Sequence, residues 1–192
     1  MVARTIPSVS ALAMLAALAG CSSPSPDFYT LAAVPGPAVA AGNRGVELRR
    51  IGLAGYLDRS QIVRATTDYR VRVADNERWG EPMGGMLDRV FTEDLVSRLP
   101  GASVFAESGA ISTQPDLVVE VDVQRFDADA DGTVVLLAQV AVRHDTGRST
   151  ATARTVRLTA KPLGDSTSAL VAAMSQALGQ LSDAVAEAVA AR

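Results

Sequence analysis

The chain has 192 residues, with 18 Lys and Arg against 21 Asp and Glu, a net charge of −3 at neutral pH. A mildly acidic surface with Lys161 as its sole lysine excludes a dedicated nucleic-acid binder, because affinity for phosphate backbones rests on concentrated Lys and Arg. One histidine and one cysteine are too few for a zinc centre, and the length suits one domain.

Residues 1–20 read as an export signal: Arg4 supplies the early positive charge and Ile6 to Ala19 carry no charge. The apolar run ends before the roughly 20 residues a membrane-spanning helix needs. Leu18-Ala19-Gly20-Cys21 is similar to the lipobox of bacterial lipoproteins, in which the cysteine is acylated and becomes the first mature residue. Acylation at both the thiol and the new amino terminus gives an anchor that a single chain would not. Ser22, standing where aspartate would retain a lipoprotein at the inner membrane, points to the outer membrane facing the periplasm.

Residues 21–45, rich in Pro, Ala and Gly, are expected to form a lipidated flexible tether with one short strand at Asp27-Phe28-Tyr29-Thr30-Leu31. The domain proper is expected over residues 46–192. Val46 to Leu53 reads as a strand bent near Gly52, Gly55 to Arg64 as a loop or short strand, and Tyr69 to Val73 as an alternating strand. Pro82 opens a helix whose apolar positions run from Met83 to Leu99, and Ser103 to Ala106 follows as a short strand. Residues 117–124, 133–143 and 149–160 predict an antiparallel meander. A long alanine-rich helix closes the chain over residues 166–191. Its apolar stripe either packs on its own sheet or forms an inter-subunit seam, which would make a homo-oligomer. The predicted fold is a single α/β domain of mixed α+β character, with a mixed, mostly antiparallel sheet packed by two main helices.

Chemistry-bearing constellations are sparse. Asp127-Ala-Asp129-Ala-Asp131-Gly132 has the start of a calcium loop, but its twelfth position is Ala138 where a bidentate glutamate belongs. Asp-Gly between alternating strands predicts a hairpin turn instead. His144 beside Asp145 has no Gly-x-Ser-x-Gly elbow or free thiol to serve. Glu93 and Asp94 are assigned to the solvated side of the first helix. The sequence gives no support for an enzyme, a metal or a cofactor.

Tyr56-Leu57-Asp58-Arg59-Ser60-Gln61-Ile62-Val63-Arg64, followed by Arg78-Trp79-Gly80-Glu81-Pro82-Met83, resembles the PqiC family of ABC-type transport auxiliary lipoproteins. The resemblance extends through the lipobox, Phe28 to Leu31 and the strand pair around Arg125-Phe126 and Gly132 to Ala138. It implies a non-catalytic, periplasm-facing lipoprotein that accompanies an MCE-domain lipid transporter, with an ABC permease and ATPase on other chains, and supports envelope integrity. Tyr56, Asp58, Arg59, Gln61 and Trp79 are then candidate partner-binding residues. Alternatively they hold the fold, Trp79 as a core plug and Asp58-Arg59 as an internal bridge. A structural envelope lipoprotein and a carrier of hydrophobic ligands are the rival functions.

Overall fold

The computed structural model describes residues 25–110, 113–145 and 153–192; the signal segment and Cys21 lie outside the described residues. Among the described residues nine strands form one sheet: β1 (Asp27–Tyr29), β2 (Gly45–Leu48), β3 (Gly52–Leu53), β4 (Gln61–Thr67), β5 (Arg70–Trp79), β6 (Ser103–Ala106), β7 (Leu117–Ala128), β8 (Val134–His144) and β9 (Arg154–Ala160). The helices are α1 (Met83–Arg98) and α2 (Thr167–Ala190). Long antiparallel ladders join β4 to β5, β7 to β8 and β8 to β9. Shorter parallel ones join β1 to β5, β2 to β6 and β7, and β3 and β4 to β7. The predicted mixed, mostly antiparallel sheet is the observed one, and residues 49–51 break the predicted strand into β2 and β3, with Gly52 opening β3.

Alternation decides which face of the meander is dry. Val156, Leu158 and Ala160 of β9 stand opposite Ala138, Leu136 and Val134 of β8, and this face meets the helices. Asp122, Gln124, Gln139 and Arg157 point to water. Helix α2 lies across β7, β8 and β9 and against α1, so its apolar stripe of Leu170, Met174, Leu178, Leu181 and Val185 is buried within the chain. The seam along that stripe is therefore not available to a second subunit. Ser166 caps α2, its hydroxyl accepting from Ala169 N–H at 3.1 Å. Arg64 of β4 donates to the Thr167 hydroxyl and to the Asp165 carbonyl, fixing the start of the helix to the sheet.

Over residues 25–45 the chain expected as a flexible tether is packed on the domain, and residues 21–24 lie outside the described residues. Asp27, Phe28 and Tyr29 add β1 to the edge of β5, and the chain then crosses both helices. Leu31 is 1% exposed, Ala41 is buried, and Ala32 N–H reaches the Ser175 hydroxyl of α2 at 3.2 Å. Val34 N–H donates to Asp94 Oδ1 at 2.9 Å and Val39 N–H to the Arg98 carbonyl at 2.7 Å. Arg44 closes the crossing with a bond to the Val189 carbonyl at 3.4 Å. Proline and glycine here serve close approach rather than slack. A Cβ on Gly36 would overlap the Arg98 guanidinium and the Asp183 carboxylate.

Candidate functional site

The family-like segment is the crossover from β3 to β4. Ala54 N–H donates to the Val123 carbonyl and Leu57 N–H to the Ala54 carbonyl, both at 2.9 Å, so the chain turns sharply and sinks Leu57 into the core. Half-buried Tyr56 donates its hydroxyl to Asp127 Oδ2 at 2.7 Å. Arg125 Nε donates to Asp127 Oδ1 at 2.9 Å. A carboxylate withdrawn from water requires such donors. Burial first, then the adjoining carboxylate, raise the Tyr56 phenol well above its ordinary value, so it stays a protonated donor. Replacing Tyr56 with phenylalanine lowers stability by about 1–2 kcal/mol, the worth of a hydrogen bond to a partly shielded charge. Urea unfolding of the two proteins measures this, and equal midpoints would mean the bond contributes nothing.

The structure separates the five candidate residues. Trp79 is 5% exposed in the core, with its backbone N–H donating to the Ser60 carbonyl at 2.8 Å, so it offers no contact area to a partner. Burial of the large indole outweighs any surface role. Gln61 is half-buried at the start of β4, opposite Arg78. Asp58 and Arg59 are exposed at the tip of the crossover and form no ion pair with each other. Adjacent charges in water gain too little to hold such a bridge, which corrects the expected internal pairing. The crossover thus has a fixed base at Tyr56, Leu57 and Trp79 and a free, charged tip.

A buried ionic cluster escaped the sequence reading. Asp94, assigned above to the solvated side, is fully buried, and Arg98 is 1% exposed. Arg98 Nη1 lies 3.2 Å from Asp94 Oδ1, its Nε 2.6 Å from Asp183 Oδ1, and its Nη2 donates to the Gly179 carbonyl at 3.1 Å. Ser182 donates to Asp94 Oδ2 at 3.2 Å. The signal was the i, i+4 row Met86, Val90, Asp94, Arg98, which continues the buried face of α1 while its last two members carry charge. The cluster joins α1, α2 and the N-terminal arm at one point.

The acidic hairpin is a turn, as its Asp-Gly predicts. Gly132 has φ of 83°, and its N–H donates to the Asp129 carbonyl at 3.1 Å. No cluster of ligands with metal-holding geometry occurs among the described residues. A hydrogen bond shared with Asp129, joined by the Thr133 N–H, holds the Asp131 carboxyl down at about 2. The same shared bond raises Asp129 above its ordinary value. The depressed group favours the folded turn above the ordinary carboxylate range, and that contribution disappears as pH falls through about 2. Replacing Asp131 with asparagine returns Asp129 toward its ordinary value, as followed by carboxyl carbon shifts in an NMR titration; an unmoved Asp129 would show the two do not share a proton. His144 ends β8 exposed, and no bond joins it to Asp145.

Among the described residues, two open clefts stand out beside the sheet. One, of about 680 Å³, lies where the β4–β5 turn, the β7–β8 turn and the β9–α2 loop meet; Arg64, Arg72, Lys161, Asp129 and Asp165 are among its walls. The other, of about 420 Å³, is on the wet face, with Arg49, Arg50, Glu107, Glu120 and Asp122 around it. Arg49 and Glu107 pair there at 2.9 Å. Neither has the enclosed apolar walls that a hydrophobic ligand requires.

A two-helix layer on a mixed sheet, with an arm strapped across the helices and a charged crossover tip, defines a single mixed α/β domain. The model of the family described as ABC-type transport auxiliary lipoprotein component matches residues 29–186, and the chain belongs to that family. The intermembrane transport lipoprotein PqiC of Escherichia coli (strain K12) is 29% identical over 132 residues, covering 66% of this chain and 69% of PqiC. A crystal structure of an uncharacterized protein has a TM-score of 0.72 at 22% identity, covering 86% of this chain and 99% of its own. One from Xanthomonas campestris has a TM-score of 0.67 at 19% identity, covering 85% and 93%. These two structures share the fold.

Proposed function

We propose that the chain is a non-catalytic lipoprotein, acylated at Cys21 after removal of residues 1–20, that sits on the periplasmic side of the outer membrane and assists an MCE-type lipid transporter. The match of residues 29–186 to the transport auxiliary family carries this reading, and the likeness to a lipoprotein described as acting in intermembrane transport supports it. The partner is an MCE-domain protein with its ABC permease and ATPase. Asp58 and Arg59 on the exposed crossover tip are its contact residues, with Tyr56 and Gln61 positioning them. The test is affinity capture of the C-terminally tagged chain from gently solubilised envelopes, with mass spectrometry of what accompanies it. Co-capture of an MCE-domain protein, and release of the complex from the membrane by Cys21→Ser, support the reading; capture of the chain alone overturns it.

A second reading has one observation in its favour. The acid-and-arginine cleft at Arg49, Arg50, Glu107 and Glu120 suits a structural envelope lipoprotein that contacts a charged polymer such as peptidoglycan. Recovery with peptidoglycan-linked proteins in the same experiment would favour it.

A further inference from the structure

The N-terminal arm packs so early in the chain that little of it remains between domain and membrane. Asn76 Nδ2 donates to the Ser25 carbonyl at 2.8 Å, and β1 runs parallel to β5 with Asp27 opposite Glu77. Pro26 and Ser25, upstream of Asp27, therefore lead back along β5 toward Arg70. From Ser25 to Cys21 there are four residues, which span at most about 14 Å even when fully extended. From Asn76 to the β4–β5 turn at Tyr69 the strand extends about 20 Å in the same direction. The turn thus overhangs the furthest point the cysteine can reach by about 6 Å, close to the depth of one headgroup layer.

The end that overhangs carries the two most exposed large apolar side chains among the described residues, while the less exposed Phe28, opposite Arg78, and Val96 lie elsewhere. Tyr69 and Leu163 are fully exposed, at 108% and 95%, and each adjoins in the chain residues that line the 680 Å³ cleft, Asp68 beside the first and Pro162 and Gly164 beside the second. Asp68 and Tyr69 have φ of 50° and 62°, positive values that a bulky aromatic residue rarely adopts. The ring gains no packing on its own domain in return. Tyrosine favours the boundary between water and hydrocarbon, where its ring is shielded and its hydroxyl hydrated. Arg64, Arg70, Arg72 and Lys161 at this end are matched by Asp68, Asp129, Asp131 and Asp165, so no net charge draws it to anionic lipid.

We propose that this end of the domain is a membrane-docking surface: Tyr69 of the β4–β5 turn and Leu163 of the β9–α2 loop enter the headgroup layer of the bilayer that holds the Cys21 anchor. The occupant is the lipid surface itself, independent of headgroup charge. The docking fixes the domain upright, with β2, His144 and the C-terminus of α2 pointing away from the membrane. It rests on the lipid anchor proposed above.

The test uses the full lipidated chain reconstituted into vesicles of phosphatidylethanolamine and phosphatidylglycerol, and separately of phosphatidylcholine. An environment-sensitive dye is attached in turn through Tyr69→Cys, Leu163→Cys, His144→Cys and Arg192→Cys; each site is exposed and tolerates the change. Lipids with a quencher high on the acyl chain should quench the dyes at 69 and 163 at least threefold more than those at 144 and 192, in both vesicle types and at high salt. A chain that floats with the vesicles but shows equal quenching at all four sites overturns the docking surface and leaves the anchor standing. A chain that does not float overturns both. Quenching that needs anionic lipid overturns the charge-independent mode, and shielding at 69 and 163 that appears only with added envelope proteins assigns the surface to a protein partner instead.

Discussion

Arg98→Met destabilises the protein by about 3–5 kcal/mol, the range for removing one partner of a buried ion cluster. The change leaves the fully buried Asp94 facing methionine and frees Asp183 and the Gly179 carbonyl from their donors. Its size depends on pH, with a sign fixed by Asp94. Burial raises the Asp94 carboxyl above its ordinary value, although Val34 N–H, Arg98 and Ser182 oppose the shift. A raised value in the folded state means that this group's contribution is most favourable in acid and is lost as pH rises through the folded value. Without Arg98 the shift grows, so the destabilisation is larger at pH 8 than at pH 5. Urea unfolding at both values measures it. The double variant Arg98→Met, Asp94→Leu recovers a large part of the loss, because no charge is then buried alone. A single variant with a pH-independent loss would show that packing, not charge, holds the site.

Leu31→Ala costs about 2–3 kcal/mol, the lower part of the range for a buried leucine, since the arm can settle inward. The side chain is 1% exposed and its N–H meets Met86 Sδ at 3.2 Å. The same variant exposes residues 25–41 to protease, detected as a truncated species under native conditions. If the arm were a tether resting on the surface, the change in unfolding midpoint would be negligible and cleavage of the native chain would be equally fast in both proteins.

The main architecture was legible because hydrophobic period and turn chemistry agree over most of the chain. The meander alternates, Asp131-Gly132 marks its turn, and α1 and α2 carry continuous stripes. The arm was not legible, because Pro, Ala and Gly give no periodic signal, and its fit depends on space beside Gly36 and Gly179. Asp94 is misplaced by a reading that weights charge above position in the i+4 row that also holds Arg98. Of the partner-binding candidates, residue type suggested Trp79 for the interface, but only the three-dimensional setting separates a plug from a contact. Asp58 and Arg59 share the motif yet emerge at its tip, where neighbours leave them in water.

The strap formed by residues 31–44 joins the first part of the domain to the last. Ala32 bonds to Ser175 and Arg44 to Val189, partners 143 and 145 residues away. A chain made from its N-terminus must therefore hold this segment unpaired until α2 has been synthesised, and closure of such a long loop is among the slowest steps available to a small domain. Until that helix is made, Ala32 and Arg44 lack the partners they hold in the finished fold, so the strap is the last part of the domain to close and its closure reports that the chain has reached Val189.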